Sequence, residues 1–369
     1  MHLAGGIVEI AFCRLRLQSS AVLLTVTLAT CGCATVGPQS ITAGRAVYNE
    51  VINRTEDEQI LNALVRLRYN ETFGMLSVAS VTANLRFKTE AGVQAGFGDS
   101  TNFAGNLVPF SAGVAYEENP TISYVPLNGE DFMRRMISPL SVSEWVLLSQ
   151  PVRRKDLLFA LAVQRINAVQ NSVPGEGPPS PAFIRLVELY GNLSKAAVLD
   201  LVQVQKPWRP VKYFWSIHDY TGDQVDSVKE FLDLLGIDAK PDGSKIVLPL
   251  LEAVGRSQSA VHLQTRSPFD VFRVFGAGIE LPPAHLEARI VHPVSTEAAD
   301  KWQFIKIRSS PEVSANATVQ IEFRGSWFYI DAADTQSKRA FGFLRTLIGI
   351  RLAAPASSRV APVLTVPVN

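Results

Sequence analysis

The chain has 369 residues, of which 47% are hydrophobic, and a formal net charge of +1 at pH 7. Its 35 basic and 34 acidic residues nearly balance, which gives no electrostatic case for binding nucleic acid or a polybasic contact with a membrane. The three cysteines, Cys13, Cys31 and Cys33, all lie near the N-terminus, so no disulfide or thiolate metal ligand is predicted in the body of the chain. The size and apolar content suffice for a core shared by two or three packed modules.

The N-terminal region has the organisation of a secretory signal. Arg14 and Arg16 supply positive charge ahead of an apolar or small run from Ala21 to Thr30. This run is too short to span a bilayer, because a membrane-spanning helix needs about 20 apolar residues. The sequence therefore predicts a signal peptide over residues 1–32, followed by a tether over residues 33–42.

The residues after the apolar run resemble the lipobox of bacterial lipoproteins, in which a small residue precedes a cysteine that is acylated. Cys33 follows Gly32 and is the preferred lipidation site. Cys31 is the alternative, because Leu28 is well placed for it, although the preceding Thr30 is bulkier. Either choice implies a lipid anchor, whereas an ordinary cleaved signal with incidental cysteines would leave none.

The resemblance to lipoproteins also implies a location. Several acyl chains hold a protein firmly, since each buried CH₂ contributes about 0.8 kcal/mol. The residue after Cys33 is Ala34, whereas an aspartate at that place favours retention at the inner membrane of enterobacteria. We therefore expect the acylated Cys33 to bind outer-membrane lipid, with the body of the protein facing the periplasm.

The first element predicted in the body is a helix, or two helices in line, from Ala43 to Tyr69. Thr55 and Glu58 have the spacing of a capping box, which marks the start of a helix. Arg66 and Arg68 lie in the last turn, where the helix dipole favours basic side chains.

Strand periodicity is clearest from Val81 to Phe97, where odd positions are mostly apolar and even positions mostly polar. Glu90-Ala91-Gly92 is predicted to turn this stretch into a hairpin. The alternation resumes from Val108 to Tyr116, and a second turn is predicted at Glu117-Glu118-Asn119-Pro120, a solvated turn before a last strand that ends at Val125.

Two interpretations of residues 81–125 remain open. The preferred one is a twisted antiparallel sheet with one face on the core and the other in water. The alternative is that these glycine-rich, amphipathic hairpins resemble those that some secretion lipoproteins contribute to a shared membrane pore, in which each strand spans with about ten residues.

The middle of the chain is predicted to be helical. Asp156 to Val169 has apolar residues at helical spacing, and helix is expected again from Phe183 to Tyr190 and from Lys195 to Gln205. Between them, the proline-rich stretch from Val173 to Pro181 is predicted to be an exposed loop.

The C-terminal part is predicted to combine helices with a β-meander. Gly236 is expected to end a helix that starts at Asp223, and Ser267 to cap a helix whose first position is Pro268. The meander is predicted from strands at Trp302 to Arg308, Ala317 to Phe323 and Ser326 to Ile330, the last two joined by Arg324-Gly325. A helix from Thr335 to Ile350 and a final strand from Pro362 to Val366 are also predicted.

Together these elements predict an α+β fold, with an N-terminal helix and amphipathic antiparallel strands, a helical middle, and a C-terminal β-meander plus helix. The expected modules are residues 43–140 with the helix and hairpins, residues 141–206 with the helical segment, and residues 207–369 as an α+β unit.

Several segments resemble those of a family of uncharacterised bacterial envelope proteins. They are ENPTISYVPLNGEDFMRRMISPL (Glu118 to Leu140), QTRSPFDVFRVFGAGIELPPAH (Gln264 to His285), FRGSWFYIDAADTQSKRAFGFLRTLIGI (Phe323 to Ile350), the terminal PVLTVPV and the early INRTEDEQILNALVRLRYNE. The resemblance spans most of the mature chain. It implies no catalytic residues, because the family has no established activity.

The sequence offers little catalytic chemistry. Gly255-Arg256-Ser257-Gln258-Ser259 approximates a nucleophile elbow, but Ser259 stands where the strained turn needs glycine. A polar loop is therefore the preferred interpretation of Ser257. The sequence contains no P-loop, dinucleotide fingerprint or EF-hand loop.

The histidines and four aromatic residues are candidates for a metal site, a pocket or a recognition face. No two of the histidines have the spacing of a helical zinc pair, so no metal or cofactor is predicted. A structural role is preferred for His218-Asp219, with a polar corner of a pocket as the alternative, and core positions are preferred over a recognition face for the aromatic set. The histidines of the mature chain are His218, His262, His285 and His292, and the aromatic set is Trp302, Trp327, Phe328 and Tyr329.

The anchor, the balanced charge and the missing catalytic set predict a non-enzymatic interaction or scaffold protein of the cell envelope. Its expected partner is another envelope protein or a second copy of the chain, and not nucleic acid. The first alternative is a subunit of an oligomeric outer-membrane pore or secretion assembly built from the 81–125 hairpins. The second is an envelope hydrolase.

Overall fold

A computed structural model describes residues 36–82, 85–93, 110–118, 121–127, 129–150, 152, 154–172, 179–252, 255–293, 304–352 and 364–367. Helices and strands are interspersed along these ranges, and the strands form several sheets. The α+β class predicted from the sequence is confirmed.

Helices in the described ranges are numbered in chain order. They are α1 (Val36–Arg68), α2 (Glu130–Ile137), α3 (Val142–Ser149), α4 (Lys155–Ala162), α5 (Pro181–Lys195), α6 (Asp223–Leu235), α7 (Pro268–Gly276), α8 (Pro283–Glu287) and α9 (Thr335–Leu352).

Strands in the same ranges are numbered likewise. They are β1 (Met75–Thr82), β2 (Leu85–Val93), β3 (Phe110–Glu118), β4 (Thr121–Leu127), β5 (Val163–Ile166), β6 (Val169–Gln170), β7 (Leu199–Val204), β8 (Lys212–Ile217), β9 (Ile246–Leu251), β10 (Val261–Thr265), β11 (Arg308–Ser310), β12 (Ala317–Phe323), β13 (Ser326–Asp331) and β14 (Leu364–Pro367).

The chain divides into two compact units between Glu56 and Asp57, inside α1. In the first unit the helix runs from Val36, so the predicted capping box at Thr55 is wrong. The Thr55 hydroxyl instead donates to the carbonyl oxygen of Ile52 at 3.0 Å, as a threonine in the middle of a helix does. The second unit contains the sheets and the core.

The largest sheet has six strands in the order β6-β5-β10-β9-β8-β7. Strands β9 and β10 are parallel, and the other neighbours are antiparallel. The sheet takes strands both from residues 141–206 and from residues 207–369, so the two expected modules share one sheet.

Aromatic side chains from α4, α5, α6 and β8 form the centre of the core. Phe159 stacks on Tyr190 with ring centroids 4.6 Å apart, and Trp215 lies 5.6 Å from Phe231. All four side chains are buried. Burying such large apolar surfaces contributes about 1.5–3 kcal/mol per side chain and holds these helices against the sheet.

Two predictions for the middle of the chain are wrong. Helix α4 ends at Ala162, and the residues predicted to extend it form the hairpin β5–β6, with Asn167 in the left-handed conformation (φ 46°) at its turn. Helix α5 ends at Lys195, and Leu199–Val204 is strand β7. In both places, pairing with β10 or β8 overrides the apolar spacing that indicated a helix.

Three predictions from local signals at the ends of elements are confirmed, unlike the capping box at Thr55. Ser267 caps α7 in a capping box completed by Asp270, with Pro268 in the first turn. Gly236 ends α6 in the left-handed conformation, with φ 68°. The turn Arg324-Gly325 joins β12 to β13 with φ of 52° and 74°, the combination that a two-residue type I′ hairpin needs.

The buried cation Arg266 joins several elements at the end of β10. Its guanidinium donates to the carbonyl oxygens of Ala160 (3.1 Å), Leu161 (2.9 Å) and Ser172 (2.6 Å), and its side chain is almost inaccessible to solvent. Burial lowers the pKa of Arg266 to about 10, so it is still protonated at neutral pH. The last carbonyl groups of a helix have no hydrogen-bond donor within the helix. Arg266 donates to two of these carbonyls at the end of α4.

Replacing Arg266 with methionine is expected to lower the free energy of unfolding by about 2 kcal/mol or more. Methionine keeps most of the apolar stem, but the carbonyls of Leu161 and Ser172 lose this donor, whereas Ala160 keeps the Asn171 amide at 2.8 Å. Urea unfolding measures the change. The control is Arg209→Met, at an exposed turn, and equal losses in both variants would contradict the role of Arg266.

Candidate functional site

Several residues singled out in the sequence lie outside the described ranges. They include Cys33, the signal before it and Trp302. The candidates that the structure does describe are the paired strands of residues 75–127, the histidines, Ser257 and the aromatic residues of β13.

Strands β1 to β4 form two antiparallel pairs; the register of β1–β4 shifts between Val78 and Ser80, and from Ser80 onward it is the same as that of β2–β3. Thr82 pairs with Thr121 at the end of the β1–β4 pair, and Leu85 pairs with Glu118 at the start of the β2–β3 pair. Thr82 and Leu85 are three positions apart in the chain, as are Glu118 and Thr121, so the two pairs have the same register at this point. We call β1–β4 the basal pair and β2–β3 the distal ribbon.

The two turns predicted within this region do not occur at the residues that the structure describes; Asn119 and Pro120 of the second turn lie outside the described ranges. Glu90, Ala91 and Gly92 pair with Gly113, Ala112 and Ser111 inside the distal ribbon, so no hairpin turn occurs there. Glu117 and Glu118 are the last residues of β3 and belong to the ladder. In this register Glu117 is the cross-strand partner of Arg86.

The register divides the distal ribbon into two faces of opposite character. Because alternate residues of a strand lie on opposite faces, cross-strand partners share a face. One face has mostly apolar pairs and the other has charged or small residues. The apolar pairs are Phe87 with Tyr116, Ala91 with Ala112 and Val93 with Phe110; the polar-face pairs are Arg86 with Glu117, Lys88 with Ala115, Glu90 with Gly113 and Gly92 with Ser111.

The turn between β7 and β8 carries an exposed tryptophan that the sequence analysis missed. Trp208 is fully exposed and adopts a left-handed backbone conformation (φ 62°), which is rare for a bulky residue. Lys206, Arg209 and Lys212 are exposed around it. The signal was present in the sequence as Lys-Pro-Trp-Arg-Pro, a tryptophan with a proline and a basic residue on the one side and on the other.

His218 is held between two carboxylates. Its Nδ1 lies 2.9 Å from Asp219 Oδ2 and its Nε2 lies 3.1 Å from Asp200 Oδ2, and these hydrogen bonds raise the pKa of His218. Both ring nitrogens are therefore occupied, which fits the preferred structural interpretation, and His218 is not part of the lining of the neighbouring cavity. Asp200, on the neighbouring strand β7, was not identified from the sequence because only strand pairing brings it to His218.

Asp200 also lines a cavity of about 350 Å³ together with Lys155, Ser149 and Tyr190. Burial raises the pKa of Tyr190, so its phenol stays protonated at neutral pH. The Ser149 hydroxyl donates to the carbonyl oxygen of Val146 at 2.7 Å, so its proton is committed to the backbone of α3.

His285 forms hydrogen bonds that connect Tyr69, the residue after α1, with the turn between β12 and β13. Its Nδ1 lies 2.7 Å from the hydroxyl of Tyr69, and its Nε2 lies 3.2 Å from the carbonyl oxygen of Arg324. The network assigns the proton to Nε2, which donates to the carbonyl, while Nδ1 accepts from the phenol. Tyr69 also packs edge-on against Phe328, which is fully buried.

The remaining candidates occupy structural positions. Ser257 lies in the loop before β10, where its hydroxyl accepts from the backbone N–H of Ser259 at 3.2 Å. The ring of His262 packs so closely on Gly255 that a side chain there would collide with it. Trp327 and Tyr329 are half-buried on either side of the buried Phe328, so these three residues present no exposed aromatic face.

Within the described ranges, no group of three or more histidine, cysteine, aspartate and glutamate residues is arranged to hold a metal ion. In the same part of the chain, no helix is both long enough and apolar enough to cross a membrane. Comparisons with protein-family models, with curated proteins and with solved structures found no match.

Replacing His218 with glutamine is expected to remove a pH-dependent contribution to stability of about 1 kcal/mol or less. A raised pKa in the folded state stabilises fully below the unfolded value of about 6.5, and the effect is lost as the pH rises through the folded pKa. Urea midpoints should therefore differ most below pH 6.5 and converge at higher pH. His292→Gln is the exposed control, and a difference that is constant with pH would contradict the imidazolium assignment.

Proposed function

We propose that the protein is a lipid-anchored component of the outer membrane, facing the periplasm, that acts by binding other proteins rather than by catalysis. The observation that carries this proposal is the distal ribbon. Among the described strands, β2 and β3 pair only with each other, and one face of the pair is mostly apolar.

An isolated two-stranded ribbon is marginally stable in water and needs a third strand or a packed surface to become stable. Its edge strands offer unpaired backbone groups to another chain, and the apolar face gains about 25 cal/mol per Å² of apolar surface that a partner covers. Such an element is suited to association.

Attachment to the membrane is proposed from the lipobox resemblance at Cys33 and is supported by the β7–β8 turn. Tryptophan prefers the interface between lipid and water, and basic side chains are attracted to anionic head groups. Both properties are present here, since the exposed turn carries Trp208, Lys206 and Arg209, and β8 begins with the exposed Lys212. This composition favours a body that lies close to a membrane surface.

The distal ribbon also favours a second candidate function, an oligomeric outer-membrane pore. β2 and β3 have 9 residues each, and about 9–11 residues suffice for a strand to cross the hydrocarbon core. A spanning strand needs an apolar face towards lipid and tolerates charge only where water is present. The apolar pairs would then face lipid, and the face with Arg86 and Lys88 would face a lumen.

Replacing Cys33 with alanine is expected to release the protein from the membrane fraction and to abolish incorporation of labelled palmitate, since no thiol then remains at the modified position. The matched control is Cys31→Ala, two residues away, which should remain acylated and membrane-bound. Retention of the label in Cys33→Ala, together with its loss in Cys31→Ala, would move the anchor to Cys31.

Two double variants test which face of the distal ribbon mediates association. Val93→Asp with Phe110→Asp places two charges on the apolar face, whereas Gly92→Asp with Ser111→Asp places two charges on the polar face one register position away. Association should be lost only in the first variant, because burying an unpaired carboxylate is strongly unfavourable.

Light scattering coupled to gel filtration in mild detergent measures this association, and single-channel conductance separates the two functions. A large, conducting ring that the apolar-face variant abolishes would favour the pore. A non-conducting complex that the same variant dissociates would favour the scaffold. Equal behaviour of both variants would contradict a role of the distal ribbon in association.

A further inference from the structure

A cavity of about 660 Å³ lies between α4 and α9. Its lining changes from floor to mouth. Leu148, Leu158, Leu161 and Phe275 are buried at the floor, whereas the exposed residues of the lining include Arg154 and Arg339. Cavities of about 300–1,000 Å³ with apolar walls and a few polar groups are typical of small-molecule sites.

The charge at the mouth of the cavity is positive. No aspartate or glutamate belongs to its described lining. Arg154 forms an ion pair with Asp156 at 2.6 Å, so its charge is largely compensated. Arg339 makes no hydrogen bond or ion pair within the described part of the chain, so its guanidinium can bind an external anion.

We propose that this cavity binds a single-chain amphiphile, with its acyl chain on the apolar floor and an anionic head group at Arg339. The combination of a buried hydrocarbon floor and a cationic rim matches the two ends of such a ligand. Fatty acids and lysophospholipids share this chemistry. The site is independent of the distal ribbon, so neither proposal depends on the other.

Glycines of α9 provide a matched pair of variants. A Cβ atom added at Gly342 would meet no atom within 4 Å, and Gly342 lines the cavity. Gly349 lies two turns further along the same helix, is equally unobstructed and is not part of the lining. Phenylalanine at position 342 should therefore fill the cavity without disturbing the fold, and phenylalanine at 349 should leave the cavity open.

The experiment measures binding of cis-parinaric acid, a fluorescent fatty acid, to the full chain held in amphipol without detergent. We expect saturable binding, a loss of at least tenfold in affinity in Gly342→Phe, and unchanged affinity in Gly349→Phe. Thr346→Phe, at another exposed position of the lining, is a second cavity-filling variant if Gly342→Phe fails to fold. Absence of saturable binding, or equal affinity in the 342 and 349 variants, would overturn the proposal.

Competition identifies the head group. Palmitate and palmitoyl lysophosphatidic acid should both displace the probe, and the tighter competitor distinguishes a carboxylate from a phosphate ligand. Arg339→Gln should weaken both by about three- to fivefold, as expected for a partly exposed ion pair, and leave displacement by uncharged hexadecanol unchanged. Equal weakening of all three competitors, or of none, would overturn the assignment of an anion to Arg339.

Discussion

The packing of the second unit depends on the buried, positively charged side chain of Arg266. Arg266 stands where β10 ends and α7 is about to begin, and its guanidinium reaches the end of α4 and the backbone at Ser172. Its own backbone accepts from Leu140 and donates to Ala162, so the approach to α3 is fixed at the same point. A helix that turns directly into a strand leaves buried carbonyls, and a planar side chain with five donors can satisfy several of them together.

Polar and apolar groups have different uses in this fold. The histidines that the structure describes with hydrogen-bonded rings, His218 and His285, join neighbouring elements. Two apolar features have no partner among the described residues: one face of the distal ribbon and the floor of the cavity beside α9. The proposals of protein binding and of amphiphile binding rest on these two features.

Several predictions that rest on the conformational preferences of one or two residues are confirmed. Several that rest on the spacing of apolar residues are wrong. Ser267 with Pro268, Gly236 and Arg324-Gly325 mark ends and turns through their own conformational preferences, and all three were found. By contrast, Leu199–Val204 has the same apolar spacing as a helix and becomes β7 because β8 is available to pair with it. The signal at Glu90-Ala91-Gly92 was misleading for the same reason, since each residue has a cross-strand partner in the distal ribbon.

The candidate sites could be predicted where their residues are neighbours in the sequence, and not where the fold brings distant residues together. His218 beside Asp219 was visible as a sequence neighbour, whereas Asp200 lies on another strand and had no local signal. The cavity between α4 and α9 joins side chains from distant parts of the chain, among them Leu158, Phe275 and Gly342, so no spacing in the sequence could predict it. Trp208 could have been found, because its proline and basic neighbours are adjacent to it.

The position of β14 has a consequence for the order in which the protein is made. β14 pairs with β4 and thereby completes the sheet that carries the basal pair. Residues 364–367 follow every other described strand in the chain, so they leave the ribosome after all of them. During synthesis the open edge of β4 therefore stays exposed until these residues have been made.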